Sequence, residues 1–501
     1  MTAYWSRREF LAAGAALALG APSHRWQQPR GTTARRLSAS ARRALGFPVP
    51  AEHFHGDSSA AAGFQVKEAP PRRHPRETRD DRRPVDWRAL GRSLSRFADL
   101  RRHFIFEYYP WYAAMPYAHW EENLRHPPVD IAASSVPLLG AYDSGDVRVI
   151  EQHARWIAEA GAGAINISWW GRDDVINTRV HLIMDVMRAH DIHVAFHLEP
   201  YADDRVGRYA SDIMYLLHEY GTRRRWDAFL LLEDANGKGG PVFKSFRAIV
   251  PPTSTDCLGV TRAVPDYVPD EAWRRQTDLL RTELRHDFDS VLLLGDALDT
   301  TRTAACGLDG VAVYDAFVRP SQWSSIAAGF TERDLLFSFN INPGFDKYPA
   351  RGPQDVCFRP VPFEPPVGPV DWSDPVVRPA AEAASRNRIL ESARTTLGIQ
   401  INRALANARR GFLLAYVNTF NEWHEGTAFE PARDFASLTP EERAIGYHNP
   451  TDGRWRLDLL QVLLNELRTG ASNPVPEPVR RLRAGQGAQS TPAGRVPKPP
   501  A

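Results

Sequence analysis

Glu422 and Glu425 lie in one short segment, FNEWHEG at residues 420–426, directly after the apolar, β-forming run GFLLAYVNT. Two carboxylates are the usual minimum for cleaving a glycosidic bond: one hands a proton to the departing oxygen while the other manages charge or a nucleophile at the anomeric carbon. Their offset of three decides whether they can cooperate. In a continuing strand an odd offset sends the side chains to opposite faces, whereas a turn brings them within about 5–6 Å at Cβ. Gly426 favours the turn, so the pair is the expected catalytic couple. The plainer reading, in which one of the two is structural and pairs with an arginine, stays open at this level.

Similar polarity falls at the ends of several other apolar runs: Tyr109, Trp111 and Tyr112; Trp169 and Trp170; His197, Glu199 and Tyr201; Tyr314; Asn342; and Asn421, Trp423 and His424 around the glutamates themselves. Aromatic faces stack on sugar C–H surfaces, and carboxylates, amides and imidazoles bond sugar hydroxyls, so these residues are the expected substrate contacts. Other chemistries lack their spacing. Four residues after His424 stands Ala428, so the second ligand of a zinc-protease helix is missing; ANGKGGP does not have the spacing of a phosphate loop; and no GxSxG elbow occurs. His119, His153 and His181 show no tight ligand spacing and are expected as core or surface histidines.

These residues need a scaffold that gathers strand ends. Eight strand-like runs alternate with amphipathic stretches: HFIFEYYPWY, AINISWW, HVAFHLEPY, PVFKSFRA, SVLLLGDAL, GVAVYDAF, DLLFSFNINP and GFLLAYVNTFNEW. DVRVIEQHARWIAEAG and SRNRILESARTTLGIQINRALANAR read as helices between them. The alternation predicts an α/β fold, a (β/α)8 TIM barrel, with a doubly wound open sheet as its competitor. A barrel puts every strand end on one face, where that architecture holds its chemistry.

At 501 residues, 43% hydrophobic and 24% charged, the chain is long enough for a large core. The formal charge of +2 gives little support for a nucleic-acid partner, although arginines crowd the first hundred residues. Residues 1–30, with SRREFLAAGAALALG, read as a twin-arginine-type signal peptide, which implies the Tat export machinery as a partner and a periplasmic or extracellular location. Residues 31–100 are expected as an Arg/Pro-rich disordered linker, 101–469 as the catalytic barrel and 470–501 as a disordered Pro/Arg-rich tail. No later run suits a membrane span of the mature protein. Cys257, Cys306 and Cys357 allow one disulfide and one leftover thiol.

EYYPWY, VPLLGAYDSGDVRVIEQHARWIAEAGAGAINISWW, VAFHLEPYADD, LDGVAVYDAF and NTFNEWHEGTAFEPA occur in an order and at spacings that resemble glycoside hydrolase family 99, the endo-α-mannosidase family, over about 104–467. The resemblance implies a (β/α)8 barrel and a retaining, endo-acting enzyme on an α-linked oligo- or polysaccharide, without cofactor. It also implies roles: Glu422 as the base that draws the proton from the sugar 2-hydroxyl, giving a 1,2-anhydro sugar, and Glu425 as the acid and then the base toward water. Departures lie at Lys244 and Arg247 in PVFKSFRAIV, at SWWGRDD and at NINPGF. They motivate the alternative of a noncatalytic glycan-binding protein on the same barrel, against which the retention of both glutamates speaks.

Overall fold

The computed structural model describes residues 85–472 apart from short interruptions, the longest at 349–363. The expected signal peptide, most of the expected linker and nearly all of the tail lie outside the described residues, as do Cys257 and Cys357.

Eight parallel strands form the barrel: β1 (Phe104–Tyr108), β2 (Ala164–Trp169), β3 (His193–Leu198), β4 (Gly239–Ser245), β5 (Leu292–Gly295), β6 (Gly310–Ala312), β7 (Leu336–Ser338 continued by Asn340–Ile341) and β8 (Ala415–Val417). All eight coincide with the runs read from sequence. Closure rests on β7, whose first half pairs with β6 and whose second half pairs with β8, while β8 pairs with β1. The competing open sheet is thereby excluded. β4, the most polar of the runs, is steadied from outside the ring by an antiparallel partner at Leu231–Glu233.

A helix follows each strand: α2 (Val147–Ala160), α3 (Val175–Ala189), α4 (Arg205–Leu217), α5 (Asp270–Leu284), α6 (Thr300–Ala305), α7 (Pro320–Glu332), α8 (Val377–Gln400) and α9 (Trp455–Ser472). α2 and α3 start on aspartate caps, Asp146 and Asp174, whose side chains accept from backbone N–H groups of the first turn. α2 lays Ile150, His153, Ala154, Ile157 and Ala160 onto the barrel at helical spacing. α8 stops at Gln400 rather than running through the 385–409 stretch read as one helix. Gln400 spends its amide on both the carbonyl and the N–H of Leu414, and the Asn402 side chain then accepts from Ala404 N–H. That local bond offers the backbone an alternative to the helix.

The ordered unit also begins earlier than the boundary at 101. A short helix α1 (Trp87–Arg92) packs on α9, with Leu94, Phe97 and Leu100 buried behind it. The two backbones approach so closely at Gly91 that a Cβ there would meet the Leu467 carbonyl at 2.0 Å. An arginine-rich composition hid this element, because its apolar residues are few and each is fully used.

Strand alternation sorts the core. Ile105, Ala164, Ala195, Val242, Leu294, Ala312, Leu336 and Tyr416 fill the barrel interior, while Phe106, Ile165, Ile167, Val194 and Phe196 face the helices. Two residues further up the strands, the inward positions become Glu107, Asn166, His197 and Lys244, and the interior turns from apolar to charged.

Candidate active site

The site is built on the segment that leaves β8. Asn421 ties it to β1 by accepting from Tyr109 N–H (2.8 Å) and donating to the Tyr109 carbonyl (3.0 Å). A turn follows over Trp423–Gly426, closed by Gly426 at φ +62°. Its outer side is braced: Asp346 N–H donates to the Glu425 carbonyl (2.8 Å), and Arg456 donates to the carbonyls of Gly426 (2.7 Å) and Ala428 (2.9 Å). His448 holds Asp346 in turn at 2.9 Å.

The turn presents Glu425 to a phenol and Glu422 to an imidazole. Tyr314, just beyond β6, donates its hydroxyl to Glu425 Oε2 at 2.7 Å. Burial, followed by the charges of Glu425 and Glu422, pushes the Tyr314 hydroxyl well above its ordinary range. Glu422 Oε1 accepts from His424 N–H (3.0 Å) and lies 3.3 Å from His424 Nδ1. Burial alone would lower His424, but Glu122, together with Glu422, outweighs it and raises the imidazole to about 9. The raised imidazole of His424 therefore stands beside the Glu422 carboxylate.

Below lies a sealed network. Lys244 pairs with Glu107, to which Asn166 also donates (2.9 Å), and His197 Nδ1 is 3.3 Å from Glu107 and 3.6 Å from Glu199. Burial would raise Glu107, yet Lys244 and His197 hold it down at about 2. Glu199, which accepts from Ser168 (2.8 Å), is raised because burial is only partly offset by His197 and Ser168.

The expected contacts divide into two groups. Tyr109, Trp170, His197, Glu199, Tyr314 and His424 gather around the glutamates: Trp170 donates to Ser168 (3.1 Å), and the charges of Glu107, Glu199 and Glu422 all bear on the Tyr109 hydroxyl. Trp111 joins them at the rim, stacked on His119 at 4.7 Å. The other residues are corrected. Trp169 points out of the barrel and donates to Asn177 on α3 (2.9 Å). Tyr112 is sealed, stacked on Trp120 at 4.1 Å, with its hydroxyl on the backbone of Asn421 and Trp423. Trp423 aims its indole backward at Glu430 (3.0 Å). Asn342 spends its carbonyl oxygen on Gly344 N–H and Arg388, and Asn421 uses its amide on β1. Tyr201 is turned to Asp212 at 2.5 Å. In this structure the polar atoms of these six are engaged by the protein itself.

Three residues went unread: Glu107, Glu122 and Glu430. Glu107 carried a signal, since it shares the inward parity of Ile105 within an apolar strand, just as Lys244 shares that of Val242. Glu122 and Glu430 lie in loops whose paths the sequence does not reveal. His119, Glu122 and His424 bring donor atoms within 4.8 Å of one another, the one such grouping found among the described residues. With Nε2 of His424 on the His119 carbonyl (2.8 Å) and Nδ1 facing Glu422, that ring has no nitrogen left for a cation, so the trio does not fit a metal.

Known proteins resemble this chain. The family model Glycosyl hydrolase family 99 matches residues 99–232. A glycoprotein endo-alpha-1,2-mannosidase-like protein of Danio rerio is 28% identical over 360 residues, covering 65% of this chain and 70% of its own. The glycoprotein endo-alpha-1,2-mannosidase of Xenopus laevis is 25% identical over 357 residues, covering 65% and 69%. The chain is similar to glycosyl hydrolase family 99 and carries a match to its model. It is a glycoside hydrolase, and its partner is a glycan substrate. Its barrel is also shared with the solved family 99 endo-alpha-mannosidase of Bacteroides thetaiotaomicron, at a TM-score of 0.50 and 22% identity over 74% of this chain and 99% of that one. Among the described residues no helix is long and apolar enough to cross a membrane.

Proposed function

We propose that this glycoside hydrolase cleaves α-mannosidic linkages, or a related α-glycan, within the chain and with retention, using the substrate's own 2-hydroxyl. Glu422 takes the 2-hydroxyl proton, and the freed oxygen attacks the anomeric carbon. As the glycosidic C–O bond breaks, Glu425 protonates the leaving oxygen, giving a 1,2-anhydro sugar. Glu425 then takes a proton from water, whose oxygen opens the three-membered ring at the anomeric carbon, and Glu422 returns its proton to the 2-oxygen. Two inversions give net retention.

The observation that carries this reading is the placement of both carboxylates on one turn, Glu425 held by the Tyr314 hydroxyl and Glu422 beside the His424 ring, whose pKa is raised. That asymmetry separates the roles: a cation favours the ionised base, and a phenol donating to Oε2 orients an acid that needs its other oxygen for the leaving group. The relatives' printed activities supply the sugar.

A panel of α-linked glycans, with products resolved by length and anomeric form, tests the substrate and the endo mode. Binding without release of reducing ends would leave a glycan-binding protein instead. Glu425→Gln should be partly spared on substrates with an activated leaving group, whereas Glu422→Gln should not. Equal losses on such a substrate would overturn the assignment. Export through a twin-arginine route, to the periplasm or beyond, is supported by Arg7 and Arg8 ahead of Phe10 and Leu11. Replacing both arginines by lysine should trap the protein in the cytoplasm on fractionation.

A further inference from the structure

We propose that Glu122 is a positioning residue for the reaction: together with His119 it holds the His424 imidazole doubly protonated against Glu422, and so keeps Glu422 ionised once substrate fills the cleft. The inference rests on the reading of Glu422 as the base.

Geometry carries it. Both ring nitrogens of His424 face oxygens: Nε2 meets the His119 carbonyl, which can only accept, at 2.8 Å, and Nδ1 lies 3.3 Å from Glu422 Oε1, which only accepts while Glu422 acts as a base. Oε1 is already the acceptor for His424 N–H, which presents the carboxylate to the ring. A neutral imidazole would leave one nitrogen's lone pair against an oxygen lone pair in a sealed place, since His424 is only 3% exposed. A buried imidazolium with one carboxylate that must itself accept a proton would be poorly held through the cycle. The second carboxylate is Glu122, which is 2.8 Å from His119 Nδ1 and within 4.8 Å of His424.

Among the described residues the groups facing His424 are few. Glu422 comes from its own turn, His119 and Glu122 from the segment after β1, and the rings of Trp111, Tyr112 and Tyr348 close the remaining sides, with the Arg125 guanidinium behind Tyr348. Tyr112 and Tyr348 offer no charge at neutral pH. With Glu122 and Glu422 ionised, the trio carries one net negative charge. Uptake of the 2-hydroxyl proton by Glu422 brings it to neutrality without moving a proton elsewhere. Substrate entry strips water from Glu422, a change that by itself drives a carboxylate toward protonation. The fixed imidazolium opposes it.

Glu122→Gln tests the device in the full chain. Loss of an opposite charge at this range should move the alkaline limb of kcat/KM to lower pH by about one unit or more, and Glu122→Asp should restore part of the shift. The position of the limb is the readout, because a purely structural lesion lowers the plateau and leaves the limb in place. A limb that stays put overturns the proposal. Imidazole NMR of the parent protein, with the His424 signal assigned by its absence in His424→Gln, is independent of activity and of whether Glu122→Gln folds. His424 should remain doubly protonated at pH 8, and a neutral ring at pH 7 overturns the inference. Activity of Glu422→Gln at parent level would instead overturn the assignment of the base, an outcome the NMR state of His424 does not touch.

Discussion

Glu107 and Glu422 are two carboxylates sealed to about the same degree, 0% and 1% exposed, one in the barrel floor and one at its mouth. Their surroundings differ in kind. Glu107 is matched on both oxygens, by Lys244 and by the Asn166 amide, with His197 beside it. Glu422 makes its contacts through Oε1 alone, and Oε2 has no protein partner among the described residues. Burial therefore does not separate the floor acid from the proposed base in this barrel. What separates them is whether the partners exhaust the lone pairs, because an acid that must receive a substrate proton needs one oxygen uncommitted.

The sharpest way to break this contrast is to neutralise each acid. Glu422→Gln should lower kcat/KM by roughly 10³- to 10⁴-fold, at the upper end of what a general base contributes, while the melting temperature hardly moves. At the floor the balance reverses. Lys244→Met removes the ammonium partner of Glu107 in a sealed interior, leaving only His197 and the Asn166 amide beside it, and should cost about 3–5 kcal/mol of stability in denaturant unfolding. Glu107→Leu combined with Lys244→Met should recover most of that loss, since removing both charges of a buried pair is often close to neutral. If the double variant proves as unstable as the single, the pair does more than balance itself and the floor is not merely structural.

Acidity and alkalinity should strike the two regions separately. Glu107 is depressed in the folded state, so its contribution is present above the usual carboxylate range and is lost as pH falls through about 2. His424 is raised, so its contribution is present below about 6.5 and is lost as pH rises through about 9. The melting temperature of the parent should decline between those two alkaline values, and His424→Gln should remove that part of the decline. A decline of the same size in the variant would assign it to other groups.

A smaller effect is expected at the hinge of the catalytic turn. Gly426→Ala forces a Cβ to within 2.4 Å of the Asp346 carbonyl at a left-handed backbone position. The backbone cost is about 1–2 kcal/mol, and because Asp346 N–H holds the Glu425 carbonyl, kcat should fall more than KM rises. An unchanged kcat would show that Glu425 tolerates displacement of its own backbone.

How much of this was legible follows from particular residues. Each barrel strand announced itself, because apolar runs bounded by turns at regular spacing have few other solutions. The turn at 423–426 was legible from a glycine after closely spaced polar residues. Side-chain direction was harder. Polar and aromatic residues at strand ends were read as one set, although alternation splits them: Asn166 and Ser168 point into the barrel, so Trp169, one residue further on, cannot. Tyr112, Asn342, Asn421 and Trp423 were unreadable for another reason. Their polar atoms are consumed by loop backbone and by Glu430, contacts between segments about 300 residues apart in the case of Tyr112 and Asn421.

Trp169 supplies the smallest and most specific test, because it lies one residue from Trp170 and on the opposite face. Trp169→Phe removes the bond from the indole to Asn177 Oδ1 and part of the packing against Tyr201 and Tyr215. Asn177 Oδ1 keeps a second donor in the Tyr220 hydroxyl at 2.8 Å, so the buried amide is not orphaned. The expected loss is about 1 kcal/mol of stability with KM and kcat at parent values. Trp170→Phe should do the converse, since its indole donates to Ser168, which in turn donates to Glu199: little stability is lost and KM rises. If Trp169→Phe raised KM as much as Trp170→Phe, the barrel's inward and outward faces would not be the boundary between scaffold and substrate, and the contrast drawn between Glu107 and Glu422 would lose its geometric basis.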